Sequence, residues 1–402
     1  MISVADAQAI VQAHLRPLGT ELVPLRQAAG RVLRETLITD RPLPPYHRVA
    51  MDGIALRYTD FAAGQRIFPI AGTSPAGSPV LTMTESGHCI EVMTGSVLPI
   101  GTDSVIRYED ILLDDGKALV QLDRINEGQN VHPLGKDQPQ GKPIAPIGSL
   151  VDAAISGVAA AVGKTHLLVS RRPRVAVIST GDELVGIDVQ PAPHQIRRSN
   201  TYSISVLLAE RVDCLHDFHL PDDYDTIRQQ LQQLLNNYDV LILSGGVSMG
   251  KFDYLPQALN SLGVTQHFHK VRQRPGKPFW FGASKKQNTI VFALPGNPVS
   301  SLACTLVYVL PWLRASQQQL ESPTTYAQLA DDVSFKPDLD YFLQVRLSSS
   351  PTGVLLAHPE AGNGSGDFSN LVRADALLHL PRGKDHFSAG EAFPVFLLSS
   401  PS

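Results

Sequence analysis

Between residues 174 and 313 the chain repeats one alternation: a short apolar run rich in β-branched residues, a turn of glycine and polar residues, then a stretch with helical spacing. The runs are RVAVIST (174–180), DVLILSGG (239–246) and TIVFALPG (289–296). Between and after them lie SNTYSISVLLAERV, DDYDTIRQQLQQLLNN, FDYLPQALNSLG and PVSSLACTLVYVLPWL. Strands apolar at nearly every position must be covered on both faces, and helices between them supply the cover. The alternation therefore predicts a mainly parallel, doubly wound α/β sheet over residues 173–320. Ser199 or Asn200 is expected to cap the first of these helices, while Pro256 and Pro298 fit only a first helical turn.

The flanks read differently. Residues 1–17 form a capped amphipathic helix, with Ser3 followed by Asp6, and have neither the basic start nor the apolar core of a signal peptide. From about 40 to 150 the chain is rich in Pro and Gly and carries short alternating segments such as HCIEVMTG, SVIRY and ALVQL. SLVDAAISGVAAAVG (149–163) is helical and is expected to return the chain to the first helix. Residues 1–172 thus read as a helical and β stem with a mainly β domain inserted at about 45–140. After residue 320, YFLQVRL, GVLLAHP, ALLHLPRG and AFPVFLL suggest a small β barrel or sandwich over 321–402. A length of 402 residues suits such a multidomain arrangement.

Composition narrows the partners. With 34 Lys+Arg against 38 Asp+Glu, neither nucleic acid nor a membrane surface is indicated, and no continuous apolar span is evident. Three widely spaced cysteines, Cys89, Cys214 and Cys304, suit buried thiols in a reducing cytoplasm rather than disulfides or a zinc knuckle.

In open α/β sheets ligands bind beyond the carboxyl ends of the strands, so the chemistry is sought there. Three strands end in GDE, SGGVSMGKFD and LPGNPVSS, which places Thr180, Gly181, Asp182, Ser244, Gly245, Gly246, Ser248, Pro295, Gly296, Asn297 and Pro298 as candidate substrate-binding residues. Gly245, Gly246 and Gly250 allow backbone amides to approach an anion, with Ser244 and Ser248 as added donors. The spacing matches neither the dinucleotide fingerprint nor a Walker loop. Acids at Asp182, Glu183, Asp222, Asp223 and Asp253 would repel an anion unless a cation lies between, and Mg²⁺ bound through oxygen is the simplest such cation. Asp222 and Asp223 have a competing reading as a helix cap. Arg272, Arg274 and Lys277, around a rigid Pro-Gly turn, supply positive charge. The residues point to a phosphorylated, anionic ligand held with Mg²⁺. His47 and His269 are left out as bases, since a lone histidine is more often structural.

Together PLPPYHRVAMDGIAL, MTGSVLPIGTDSVIRYED, VISTGDELV, LILSGGVSMGKFDY, RPGKPFWFG, LPGNPVSS and GSGDFSNLVRADALLHLP resemble, in order, the molybdopterin molybdenumtransferases, that is, the bacterial MoeA proteins and the E domain of gephyrin. The resemblance implies a four-part protomer, a homodimer with the site between protomers, and Mg²⁺-dependent insertion of molybdate into adenylylated molybdopterin with release of AMP and molybdenum cofactor. Molybdopterin adenylyltransferase and recipient molybdoenzymes would then be partners. Carried over by position, Asp52 and Asp137 match acids that reach the site from the partner protomer. Glu183, Asp222 and Asp253 match site acids of the α/β domain, with Glu183 and Asp253 as metal ligands. Arg274 and Lys277 stand where two lysines face the anionic substrate, and Ser365 matches a serine near the pterin or molybdate.

The sequence also departs from that pattern. Tyr46, His47 and Val49 alter the Phe-Asp-x-Ser-Ala-Met-Asp-Gly motif, Lys136 and Lys251 stand where acids are common, and Arg274 replaces lysine. Lys136 and Lys251 each add positive charge there, whereas Arg274 keeps the charge and changes its geometry. They leave two alternatives beside the enzyme: a tungstate-inserting variant, or a non-catalytic molybdopterin-binding carrier. A third, the adenylyltransferase itself, would leave the N-terminal half and the barrel without a role.

Overall fold

The computed structural model describes residues 1–247, 254–360, 362, 364 and 366–398. The chain divides into two compact units, one of Met1–Arg34, Ile147–Asp152 and His166–Ser402, the other of Glu35–Pro146 and Ala153–Thr165.

The first unit opens with helix α1 (Val4–Ala13), whose Ser3 and Asp6 form the expected reciprocal cap. Its centre is a sheet of strands β1 (Arg174–Thr180), β2 (Cys214–Leu220), β3 (Val240–Ser244), β4 (Thr265–His269), with the two-residue β5 (Gln273–Arg274) outside it, then β6 (Trp280–Ser284) and β7 (Thr289–Leu294). The sheet order is β2-β1-β3-β7-β6-β4. The pairs from β2 to β7 are parallel and the two pairs involving β6 are antiparallel. Helices α2 (Asn200–Leu208), α3 (Tyr224–Asn237), α4 (Leu255–Ser261) and α5 (Pro298–Ser316) surround it. Period-two alternation divides the strands between two cores. Val175, Val177, Val240 and Ile242 pack with α1, α2 and α5, whereas Ala176, Ile178, Leu241 and Leu243 pack with α3 and α4.

Two local expectations are corrected. Ser199 stands at the cap position of α2 but its side chain makes no capping bond, and Asn200 turns its amide elsewhere. The chain returns to its beginning through strand His166–Ser170, antiparallel to Thr20–Pro24, and not through helix Ala153–Ala161, which belongs to the other unit. Helix α5 contains a π turn at Thr305–Val309, with the Leu310 amide donating to the Thr305 carbonyl. Pro311 next in line has no N–H to give, so an α-helical ladder could not run through it intact. Among the described residues α5 is the one helix long and apolar enough to cross a membrane, and 83 % of that stretch is buried in the unit's core.

The C-terminal strands β8 (Tyr326–Leu329), β9 (Asp340–Ser349), β10 (Leu355–Pro359), β11 (Ala376–Leu380) and β12 (Ala392–Leu397) run in the order β9-β10-β8-β12-β11, and β11 pairs back to β9. This closed circuit is a barrel rather than a sandwich. Its core includes Leu343, Val345, Leu378, Leu380 and Phe387. Strand β5 adds to its outside, with Gln273 opposite Asp340 and Arg274 opposite Tyr341.

The second unit is built on a six-stranded sheet ordered Ser104–Arg107, Gly53–Leu56, Cys89–Val92, Ile67–Ser74, Lys117–Val120, Ile111–Asp114. Ile54, Leu56, Phe61, Phe68 and Ile106 fill one core, and Val49, Ala55, Met83, Ile90 and Val105 a smaller one. All three cysteines are free thiols, two buried and Cys214 half-buried.

Candidate functional site

Register brings the strand ends together. Ser179 lies opposite Ser244, and Ser244 opposite Leu294, so the segments that follow β1, β3 and β7 leave the sheet side by side. The winding reverses between β1 and β3, where the flanking helices depart to opposite faces. An open cleft of about 1540 Å³ occupies this edge.

Thr180, Gly181, Ser244, Gly245, Gly246, Pro295, Gly296, Asn297 and Pro298 all line it, as the strand-end rule predicts. Gly245 and Gly246 have φ of +102° and +69°, and a Cβ on either would stand 3.0 Å from Thr180 Oγ1. Both the backbone twist and the close approach require glycine here. Asn200 binds the loops together, its Nδ2 donating to Ser244 Oγ and to the Gly296 carbonyl, each at 2.7 Å. The hydroxyls of Thr180 and Thr201 are buried on this edge without a protein hydrogen-bond partner, although the residues are only 5 % and 2 % exposed. An unpartnered buried hydroxyl costs about 1–3 kcal/mol, so the pair suits a polar ligand.

Four cations, Arg197, Arg198, Arg274 and Lys277, and three carboxylates, Glu183, Asp222 and Asp367, stand among the lining residues. This mixture accepts a polyanion and supplies hard oxygen ligands beside it. Among the described residues no three His, Cys, Asp or Glu side chains group as a metal cage. Mg²⁺ needs no such cage, since one or two carboxylates together with substrate phosphates and water suffice. Glu183 and Asp222 fit that requirement. Burial, and then the charge of Arg198, push the nearby His219 imidazole below its ordinary pKa, so it is neutral at physiological pH.

The acids of the LPDDYD loop separate by role. Asp223 caps α3, accepting from the Thr226 amide at 2.9 Å, and the Thr226 side chain first and then this amide hold its carboxyl below the usual range. Asp222 lines the cleft. Asp182 does not line it; its Oδ1 accepts from the Asp222 amide at 3.1 Å and so ties the β1 and β2 loops. Arg274 at the end of β5 and Lys277 on the turn after it are exposed to the cleft, with the Arg274 guanidinium 5.8 Å from the Phe335 ring centre. Ser248, Asp253 and Ser365 lie outside the described residues.

Asp52 and Asp137 belong to the second unit. Asp52 is exposed beside Met51, and its Oδ1 accepts from both the amide and the hydroxyl of Thr94 at 2.6 Å. Those bonds lower its pKa. Asp137 accepts from His132 Nε2 at 2.9 Å, while its amide donates to the Leu43 carbonyl. Sequence reading missed Asn200, Arg197, Arg198 and Thr201 as cleft residues. The available signal was RRSN, two arginines running directly into a helix start beside a strand-end loop.

Residues 2–163 match the MoeA N-terminal region (domains I and II), residues 176–315 a probable molybdopterin binding domain, and residues 326–398 the MoeA C-terminal region (domain IV). A molybdopterin molybdenumtransferase of Synechocystis is 42 % identical over 398 residues, covering 98 % of this chain and all of the relative. One from Synechococcus elongatus is 34 % identical, covering 94 % of each. A crystal structure of the molybdopterin biosynthesis MoeA protein from Pyrococcus horikosii superposes with a TM-score of 0.83 at 27 % identity, over 100 % of both chains. With a cleft at the switch point of the sheet and matches along nearly its whole length, this chain belongs to the molybdopterin molybdenumtransferase (MoeA) family.

Proposed function

We propose that the protein works in molybdenum cofactor biosynthesis as a molybdopterin molybdenumtransferase, inserting molybdate into adenylylated molybdopterin with Mg²⁺-dependent release of AMP. The observation that carries this reading is the convergence of Glu183, Asp222, Arg274 and Lys277 on one glycine-floored cleft with two unpartnered buried hydroxyls. Bound Mg²⁺ would be held by Glu183, with Asp222 and Asp253 as further oxygen donors, and would neutralise charge on the phosphoanhydride. Arg274 and Lys277 offset the repulsion between molybdate and the nucleotide phosphates. Amides and hydroxyls of Thr180, Ser244, Gly245 and Gly246 orient the anions, so the gain is positional and electrostatic. No nucleophilic side chain is required.

The wider reading follows the family. Domains at 1–172, 173–320 and 321–402 would assemble as a cytoplasmic homodimer in which Asp52 and Asp137 serve the partner protomer's site, Ser365 contacts the pterin or oxyanion, and molybdopterin adenylyltransferase and recipient molybdoenzymes are transient partners. The test is to mix purified protein with adenylylated molybdopterin, Mg²⁺ and molybdate and to follow AMP. Release that needs both molybdate and Mg²⁺ is expected, and Lys277→Ala should slow it by about 10²-fold. Binding without AMP would assign the carrier role, and preference for tungstate the variant oxyanion.

A further inference from the structure

Beneath the cation-bearing turn lies a polar network that the proposed chemistry does not use. Gln273, Tyr308 and Cys304 are 1 %, 1 % and 0 % exposed. The Tyr308 hydroxyl donates to Gln273 Oε1, and Gln273 Nε2 donates to the Pro275 carbonyl at 3.1 Å and to Cys304 Sγ at 3.4 Å. Gly276, with φ of +97°, lies so close that a Cβ there would meet Cys304 Sγ at 2.7 Å. The backbone closes the turn: Lys277 O accepts from the Val271 amide at 2.9 Å, and Gly276 O from the Phe279 amide at 3.2 Å. Tyr308 stands in the π turn of α5, with its ring 4.7 Å from that of Phe279. Burial keeps the phenol protonated, so it remains a donor. A fully buried amide satisfied on both ends is expected to fix whatever it touches, and this one touches the turn between the two cations.

We propose that Tyr308 and Gln273 are positioning residues for the anionic substrate: through Gln273, the Tyr308 hydroxyl holds the Arg274–Lys277 turn so that both cations face the cleft. The inference rests on the molybdenumtransferase reading for its substrate, but its mechanical half stands on the network alone. Arg274 and Lys277 are long and exposed, so the turn beneath them must supply the order that their own packing does not.

Tyr308→Phe removes only the hydroxyl. It is expected to raise KM for adenylylated molybdopterin about tenfold while leaving kcat within about twofold, the pattern of lost uniform binding. Molybdate affinity measured by calorimetry should fall, and the amides of Val271 and Phe279 should exchange faster in hydrogen exchange. In an Arg274→Ala/Lys277→Ala background the same change should leave molybdate affinity unaltered, because the route passes through those cations. Should Tyr308→Phe fold poorly with Gln273 left half-satisfied, Tyr308→Phe/Gln273→Leu removes both partners and should give the same losses. Unchanged exchange, or faster exchange with unchanged molybdate affinity and KM, overturns the proposal. If the parent releases no AMP, the activity reading falls, and exchange together with molybdate affinity decides the positioning role.

Discussion

A carboxylate that receives two hydrogen bonds from one residue loses its freedom to turn, and Asp52 is held in this way by Thr94. The acid of AMDG is therefore anchored to a strand-end turn 42 positions away rather than to its own. Its pKa is lowered in the folded chain, first by the Thr94 hydroxyl and then by the Thr94 amide. The sign follows: the stabilisation is complete above the unfolded value of about 3.9 and is lost as pH falls through the lower folded value. Thr94→Val deletes one of the donors, and a carboxyl-detected NMR titration is expected to show Asp52 moving up toward the ordinary aspartate range. If Asp52 serves the reaction, AMP release in that variant falls while the thermal midpoint stays close to the parent's.

At the scale of elements, the LPDDYD loop divides two neighbouring acids by function. Asp223→Ala should lower the thermal midpoint by a few degrees, as loss of a helix cap does, without changing KM. Asp222→Ala should leave the midpoint and raise KM or slow AMP release. The residue pattern alone leaves these acids interchangeable, because both precede the same helix and only the backbone decides which one turns inward; the family resemblance is what singles out Asp222. Strands β1, β3 and β7 were legible since β3 and β7 are buried over their whole length and β1 at every residue after Arg174. Strand β2 was not: CLHDFHL forms an edge of the sheet and buries only Leu220 fully, so no apolar run marks it. Strands β4 and β6 were hidden for another reason. Their antiparallel return lies in the segment whose arginines, lysine and prolines drew attention to charge. Composition offers Asn200 only as an alternative to Ser199 for a cap, whereas its real partners, Ser244 and Gly296, are 44 and 96 residues distant.

For the whole molecule, each unit has buried clusters of its own: the two flanking the α/β sheet and the one inside the barrel draw on the first, and those around Phe68 and Val49 on the second. Phe68→Ala, at a fully buried site, should cost about 3–5 kcal/mol and be felt within the second unit. Hydrogen exchange is expected to accelerate across Gly53–Leu56 and Lys117–Val120 while Val240–Ser244 and Thr289–Leu294 retain parental protection. Uniform acceleration in all four strands would mean that the two cores melt as one.

The strand Gln273–Arg274 draws its place from main-chain pairing with Asp340 and Tyr341, and such pairing is blind to what the side chain carries. Position 274 can therefore exchange one basic residue for another without disturbing the turn. A lysine in place of this arginine would then be a change of reach and fork geometry on an unaltered mount, a dial by which a single codon could retune the anion that the cleft prefers.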